Sequence, residues 1–392
     1  MFLVSCAGWR LIDFAADLSS NLSVLVRDYL VPLVAADYPE ITVNPKSFDT
    51  HLWLNARLAP TAHNLKAIKI WLSENVREKR NADLYFSGCL MARFCPDPTV
   101  VSKIDVADGF LDFSADGYRL SEQPLDVIDS LHDLIRINEG ALLDNLQHRL
   151  NHGDYYEIAQ GVYSAEKFSW PHHAVADTQR GPIVLEAGCK IGPFAMLRGP
   201  IYIDRHSQIN EHAAIKGFVC VGPHCKVGGE VEGTIIEGFS NKQHHGFLGH
   251  SYVGSWVNLG AGTCNSDLKN TYGLVSMQLG ETKINTGMQF VGCFLGDYAK
   301  TAINTSIFTG KTIGVCSMVY GVASKNVAPF TNSAQLWNRV TEVGPDIMIR
   351  TQERMFGRRN KLQRPVDQQL LIDMFELTQS ERNGLTREPL VF

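Results

Sequence analysis

The stretch that decides the fold is LEAGCKIGPFAMLRGPIYIDRHSQINEHAAIKGFVCVGPHCKV, residues 185–227. Every sixth residue from its start is aliphatic: Leu185, Ile191, Leu197, Ile203, Ile209, Ile215, Val221 and Val227. Four places after each of these stands Cys189, Ala195, Ile201, Ser207, Ala213, Val219, Cys225 and Val231, a mostly small set. Gly192, Asp204, Asn210, Gly222 and Gly228 directly follow an aliphatic. A period of six matches neither the 3.6 of a helix nor the alternation of a half-buried strand. It is the repeat of a parallel β-helix, and an antiparallel sandwich would have to reach it by chance. Each hexad then makes one short flat face: the aliphatic points inward, the small residue fits the narrow interior, and Gly, Asn or Asp takes the corner. Coil stacked on coil buries a continuous core. The frame slips by two and resumes at Ile235, Asn241, Phe247, Val253 and Leu259, then returns at Leu295, Thr301, Ile307, Ile313 and Val319.

The 392-residue chain has an ordinary composition, 45% hydrophobic and 20% charged, and a length that suggests two or three domains. A net charge of −5 offers no global basic field for nucleic acid. The nine cysteines form no CxxC pair, and Cys189 and Cys225 fall in small inward slots, which favours a reducing cytoplasm. No apolar run reaches the length of a membrane span. The apolar start has no basic flank and reads as a strand or a ragged end rather than a signal peptide.

Around the repeats, residues 1–165 read as a partial α/β domain. Helical spacing near residues 24–34 and 64–80 alternates with strand-like runs at 41–44 and 84–94, and a long helix covers 124–150. Residues 166–182 read as a linker into a β-helix over 183–330, and 331–392 as a helical tail. Within the tail, the basic run 354–364 reads as a solvated linker or as a surface for a phosphate or acidic partner.

The polar residues at the slip in the repeat carry the chemistry. His244, His245 and His250 lack the spacing of metal ligands, and no Cys or carboxylate nearby completes a tetrahedral set. A neutral imidazole is instead a suitable general base. Glu230, fourteen residues before His244, would fix its tautomer if the two meet. Lys216 and Lys242 are candidate point charges for an anionic substrate, and Asn258 opens the glycine-rich run Asn-Leu-Gly-Ala-Gly-Thr. Each of these residues could equally belong to a solvent-facing ladder on the coil exterior.

The segments Gly228-Gly-Glu-Val, Ser240-Asn-Lys-Gln-His-His-Gly-Phe-Leu-Gly-His, Val257-Asn-Leu-Gly-Ala-Gly-Thr and Asp267-Leu-Lys-Asn-Thr-Tyr-Gly resemble the hexapeptide half of the GlmU-like family. These are sugar nucleotidyltransferases related to the bifunctional N-acetylglucosamine-1-phosphate uridyltransferase/glucosamine-1-phosphate N-acetyltransferase. The resemblance covers residues 183–330 well and 25–160 weakly. It implies a left-handed β-helix behind a nucleotidyltransferase-like α/β domain, assembled as a cytoplasmic homotrimer. It implies acetyl transfer from acetyl-CoA to an amino-sugar phosphate such as glucosamine-1-phosphate. His244 would be the base and Glu230 its support. Lys216 would grip the sugar phosphate, Asn258, Asn265 and Lys269 would line the sugar or coenzyme A side, and Ala261 would offer backbone to the thioester. Phe247 stands where the family has a substrate-binding Tyr, and the loop after Gly262 is shorter. Alternatives are sugar-1-phosphate nucleotidyl transfer, which alone would call for Mg²⁺, and a non-catalytic scaffold that binds sugar nucleotides.

Nucleotidyl transfer needs backbone amides that cradle phosphate and carboxylates for a metal. Residues 1–60 contain one glycine, Gly8, and nothing before residue 120 has the spacing GxGxxG or GxxxxGK. The chain is therefore expected to release no pyrophosphate from UTP and N-acetylglucosamine-1-phosphate with Mg²⁺. A turnover near the ~1 s⁻¹ of ordinary slow enzymes would overturn this expectation.

Overall fold

The computed structural model describes residues 2–46, 50–97 and 118–387, which group into two compact units. One comprises Trp9–Asp129 with Arg364–Asp373 and the first few residues. Its core gathers around helix α1 (Ala62–Glu78) and a four-stranded sheet in the order Leu52–Leu54, Cys89–Phe94, Ala82–Phe86, Arg119–Glu122. The Thr61 hydroxyl caps α1 by accepting from the Asn64 amide at 3.2 Å, and Leu65, Ile68 and Trp71 form its buried stripe. Arg93 and Asp83 are buried together on adjacent strands, joined by two hydrogen bonds of 2.6 Å. That pairing satisfies two charges no single residue could bring inside.

The other unit holds the repeats, and its strands run parallel from coil to coil. Ile183–Leu185 pairs with Ile201–Ile203, which pairs with Val219–Val221, an eighteen-residue step each time. A second face stacks Met196–Arg198, Ala214–Ile215, Glu230–Glu232 and Phe247–Gly249. A third stacks Lys190–Ile191, Gln208–Ile209, Lys226–Val227 and Asn241–Lys242. Three parallel faces stacked in this way make a parallel β-helix, the coil expected from the hexads. The sixfold aliphatics from Leu185 to Val227 line its interior, all fully buried except the partly buried Ile191, and their small partners fill the space between them.

Helix α2 (Leu131–His152) belongs with the coil, whereas the sequence reading grouped it with the amino-terminal domain. The Asn138 amide donates to the Phe218 carbonyl at 2.7 Å, and Arg149 pairs with Glu186 at 3.1 Å. The repeats also run on beyond residue 330: Thr331–Ala334 adds to the third face before helix α3 (Pro345–Gly357) begins. Among the described residues, no helix is long and apolar enough to cross a membrane.

Two expectations need correction. After the slip, the inward residues are Ile236, Lys242 and Leu248, not Ile235, Asn241 and Phe247. The pairings Val221↔Ile236, Val227↔Lys242 and Val231↔Leu248 set this register. The step from Val221 to Ile236 is fifteen residues and the next, from Ile236 to Val253, is seventeen, so the inward frame runs one residue later than a slip of two places it until Val253 restores it.

The corners also differ. The left-handed backbone there belongs to Phe194, His206, His212, Phe218, His224, Phe239 and Trp256, not to the residues that follow the aliphatics. Gly222 and Gly228 serve another need. A Cβ on Gly222 would stand 2.8 Å from the Gly238 nitrogen, and one on Gly228 would strike the Gln243 carbonyl, so these glycines allow coils to approach. A bulky residue in the left-handed region costs about 1 kcal/mol. Ring stacking up the corner offsets that cost: His206–His224 at 5.0 Å, His224–Phe239 at 4.7 Å and Phe239–Trp256 at 4.4 Å. The column ends on Phe356 of α3, 4.5 Å from Trp256.

Replacing fully buried Ile209 with Asp would place an unpaired carboxylate in this interior. The expected loss is about 3 kcal/mol or more, read as a fall in melting temperature and in ordered circular dichroism. An unchanged melting curve would show that the inward frame is misassigned.

Candidate functional site

The loop His244–Gly246 leaves the third face and enters the strand Phe247–Gly249 on the second. It lies tight against the glycine-rich turn of the next coil. The Gly262 amide donates to the His245 carbonyl at 3.1 Å, and Gly246, with φ of 123°, leaves no room for a Cβ beside the Thr263 carbonyl. His244 and His245 are both exposed. Beneath them, the Lys242 ammonium donates to the carbonyls of His244 at 2.7 Å and Gly228 at 3.1 Å. Burial with no carboxylate at hand pulls this lysine down to about 8. Lys242 is thus an internal brace for the histidine loop and does not face a substrate.

The candidate residues fall in separate places. Glu230 pairs with Lys216 on the second face, and Glu232 stands 3.9 Å from the same ammonium. Among the described residues the His244 ring has no hydrogen-bond partner, so within one chain Glu230 does not support it. Ala261 sits in the turn beside the histidine loop, its carbonyl accepting from the Asn304 amide at 2.7 Å. Asn258 is exposed on the third face, in a ladder with Asn241 below and Lys300 above. Asn265 is buried, its amide group exchanging hydrogen bonds with the Gly249 backbone at 2.8 and 3.0 Å, and it is spent on the core. Lys269 is exposed and donates to the Leu274 carbonyl at 3.1 Å within an inserted segment. That segment lies between the paired strands Tyr252–Val253 and Cys293–Leu295 and contains the hairpin Ser276–Leu279/Thr282–Asn285.

The third histidine has a role that sequence reasoning missed. His250 Nδ1 lies 2.8 Å from Asp267 and Nε2 lies 3.1 Å from Glu139 of α2. Burial alone would lower its pKa, but the two carboxylates outweigh it and raise the ring to about 9. A doubly held imidazolium therefore ties the insert and α2 to the coil. The signal was available: Asp267 follows His250 by seventeen residues, the step by which Glu230 pairs with Phe247.

The outer ladders and the hexad interior define the class, a hexapeptide-repeat β-helix protein. No family model matches the chain. Over 104 residues it is 33% identical to a bifunctional sugar-1-phosphate nucleotidylyltransferase/acetyltransferase of Sulfurisphaera tokodaii, 26% of either chain. Over 90 residues it is 30% identical to the bifunctional protein GlmU of Methanococcus vannielii, 23% of this chain and 22% of that one. The chain thus matches about a quarter of the length of these GlmU-like relatives. Among solved structures, Francisella novicida UDP-N-acetylglucosamine acyltransferase aligns with 56% of this chain and 94% of its own, at 12% identity and a TM-score of 0.31.

The sign of the His250 effect follows from its raised pKa. The clamp contributes fully below the unfolded value of about 6.5 and is lost as pH rises through about 9. Its contribution at low pH is on the order of 3 kcal/mol. Wild type is expected to lose more melting temperature than His250→Gln between pH 6.5 and pH 9.5. Parallel losses in the two proteins would remove the clamp from the account.

Proposed function

We propose that the protein transfers an acyl group, acetyl in the first instance, from acyl-CoA to the amine of an amino-sugar phosphate. The observation that carries this reading is the exposed His244 on a braced loop against the Ala261–Gly262 turn. The chemistry asks little more of the chain. The sugar amine attacks the thioester carbonyl, the C–N bond forms as the C–S bond breaks, and the imidazole takes the amine proton. A positioned base of this kind contributes about 10²- to 10⁴-fold. The turn beside it presents a close-packed glycine-rich backbone, suited to a thioester arm that must come near.

The Sulfurisphaera tokodaii relative is a sugar-1-phosphate nucleotidylyltransferase/acetyltransferase, which supports the reading over the quarter of the chain it matches. Lys216, which the resemblance assigns to the sugar phosphate, is held by Glu230 and would have to exchange that carboxylate for the phosphate. Among the described residues no hydrogen bond orients the imidazole, which fits a site completed by a neighbouring copy in a cytoplasmic homotrimer. Residues Trp9–Asp129 then serve as a nucleotidyltransferase-like accessory domain.

His244→Ala is expected to lower kcat of acetyl transfer by about 10² or more while the circular dichroism spectrum is retained. His245→Ala should cost much less. The assay is mass spectrometry of products from a panel of amino-sugar phosphates with acyl-CoA. Small and equal effects of the two substitutions would sink the assignment.

A further inference from the structure

We infer that the groove between the third face of the coil and the C-terminal end of α3 is a binding site for a small metabolite, recognised through its phosphate group. The basic run after α3 does not hang free in solvent. Phe356 continues the aromatic column, and Lys361 lies over the Phe239 ring at 5.3 Å. The chain is thereby folded against the ladder Lys226, Asn241, Asn258 and Lys300. Between them lies a groove of about 280 Å³.

Its charge is one-sided. Lys226, Lys300, Arg358 and Arg359 line it, and among the described residues no Asp or Glu does. None of the four makes an ion pair among the described residues. Arg359 is aimed by one hydrogen bond, Nη2 to the Asn241 Oδ1 at 2.7 Å. Lys300 spends one donor, on the Tyr298 carbonyl at 2.8 Å. The C-terminal end of α3 supplies only about half a negative charge, too little to neutralise four cations. Burial pushes Lys300 down to about 8, and burial together with neighbouring Arg358 lowers Arg359. A chain whose net charge is −5 thus keeps an uncompensated positive cleft.

Two guanidinium forks, two ammonium groups and the amides of Asn241, Gln243 and Asn258 offer many N–H donors to one compact acceptor. That donor set matches a multiply charged phosphate better than a single carboxylate. The volume sits at the lower end for small-molecule pockets, which suits a phosphorylated metabolite and not a polymer. This site shares only Asn258 with the proposed acyl-transfer machinery and does not depend on it.

Isothermal titration calorimetry of the full chain decides the matter, with pyrophosphate, glucose-1-phosphate and citrate as probes at low and near-physiological salt. The expected result is saturable phosphate binding with a Kd below about 1 mM, weakened at least tenfold by Arg358→Gln and by Lys226→Met. Both side chains lie outside the hydrophobic core, and circular dichroism would verify that the variants fold. His244→Ala should leave the affinity unchanged while removing acyl transfer, which separates the two sites. Tighter binding of glucose-1-phosphate assigns a phosphomonoester, and tighter binding of pyrophosphate a diphosphate. Absence of saturable binding, affinities unmoved in both variants, or citrate bound more tightly than either phosphate would each overturn the proposal.

Discussion

Backbone pairing between successive coils is the constraint on which the rest of the structure depends. Parallel strands hydrogen-bond at about 4.8 Å, so each residue lies under its counterpart one coil later. A side chain's fate is therefore settled by its phase in the coil more than by its own character. Ile203 and Val221 are interior because they occupy the same slot, and Lys226 and Asn241 are exterior for the same reason. Where two coils must approach most closely, as at Gly222 and Gly228, even a methyl group is excluded.

A change of coil length under that constraint has consequences at a distance. The coil that steps from Cys220 to Ile235 is shorter than its predecessors, and it carries Lys242 into a slot that would otherwise be aliphatic. A buried ammonium must find acceptors, and the carbonyls at hand are Gly228 below and His244 above. The irregularity thus fixes the loop that exposes the two histidines. In the longer return, from Tyr252 to Phe294, the chain spends its extra residues on an inserted segment. His250 holds that segment through Asp267 and holds α2 through Glu139.

The hexad period made the coil legible because it is a one-dimensional pattern: the slot of Leu197 or Ile215 follows from counting alone. Counting fails where coil length changes, which is why it puts Asn241 and Phe247 inward and Lys242 outward. The site was less legible, since proximity across coils depends on the same lost register. Glu230 stands fourteen residues before His244, yet its coil partner is Phe247 and its carboxylate is committed to Lys216. Asn265 reads as a ligand in sequence, but its slot lies under Ile307 in the interior. The aromatic corners were invisible to any propensity argument, because isolated residues such as His206 or Phe239 do not favour left-handed backbone. Only the stack they make with neighbours a full coil away offsets that preference.

The same column explains why the tail has a defined place. A stack of rings up one corner must end on something, and an exposed terminal indole would leave apolar area in water. Phe356 covers Trp256, and burying a ring of that size stabilises the docked tail by about 2 kcal/mol. Docking fixes where the next residues lie. Arg358 and Arg359, adjacent in sequence to that ring, are carried to the rim of the third face, where Lys226 and Lys300 already stand. Apolar contact therefore assembles a cationic cleft that electrostatics alone would resist.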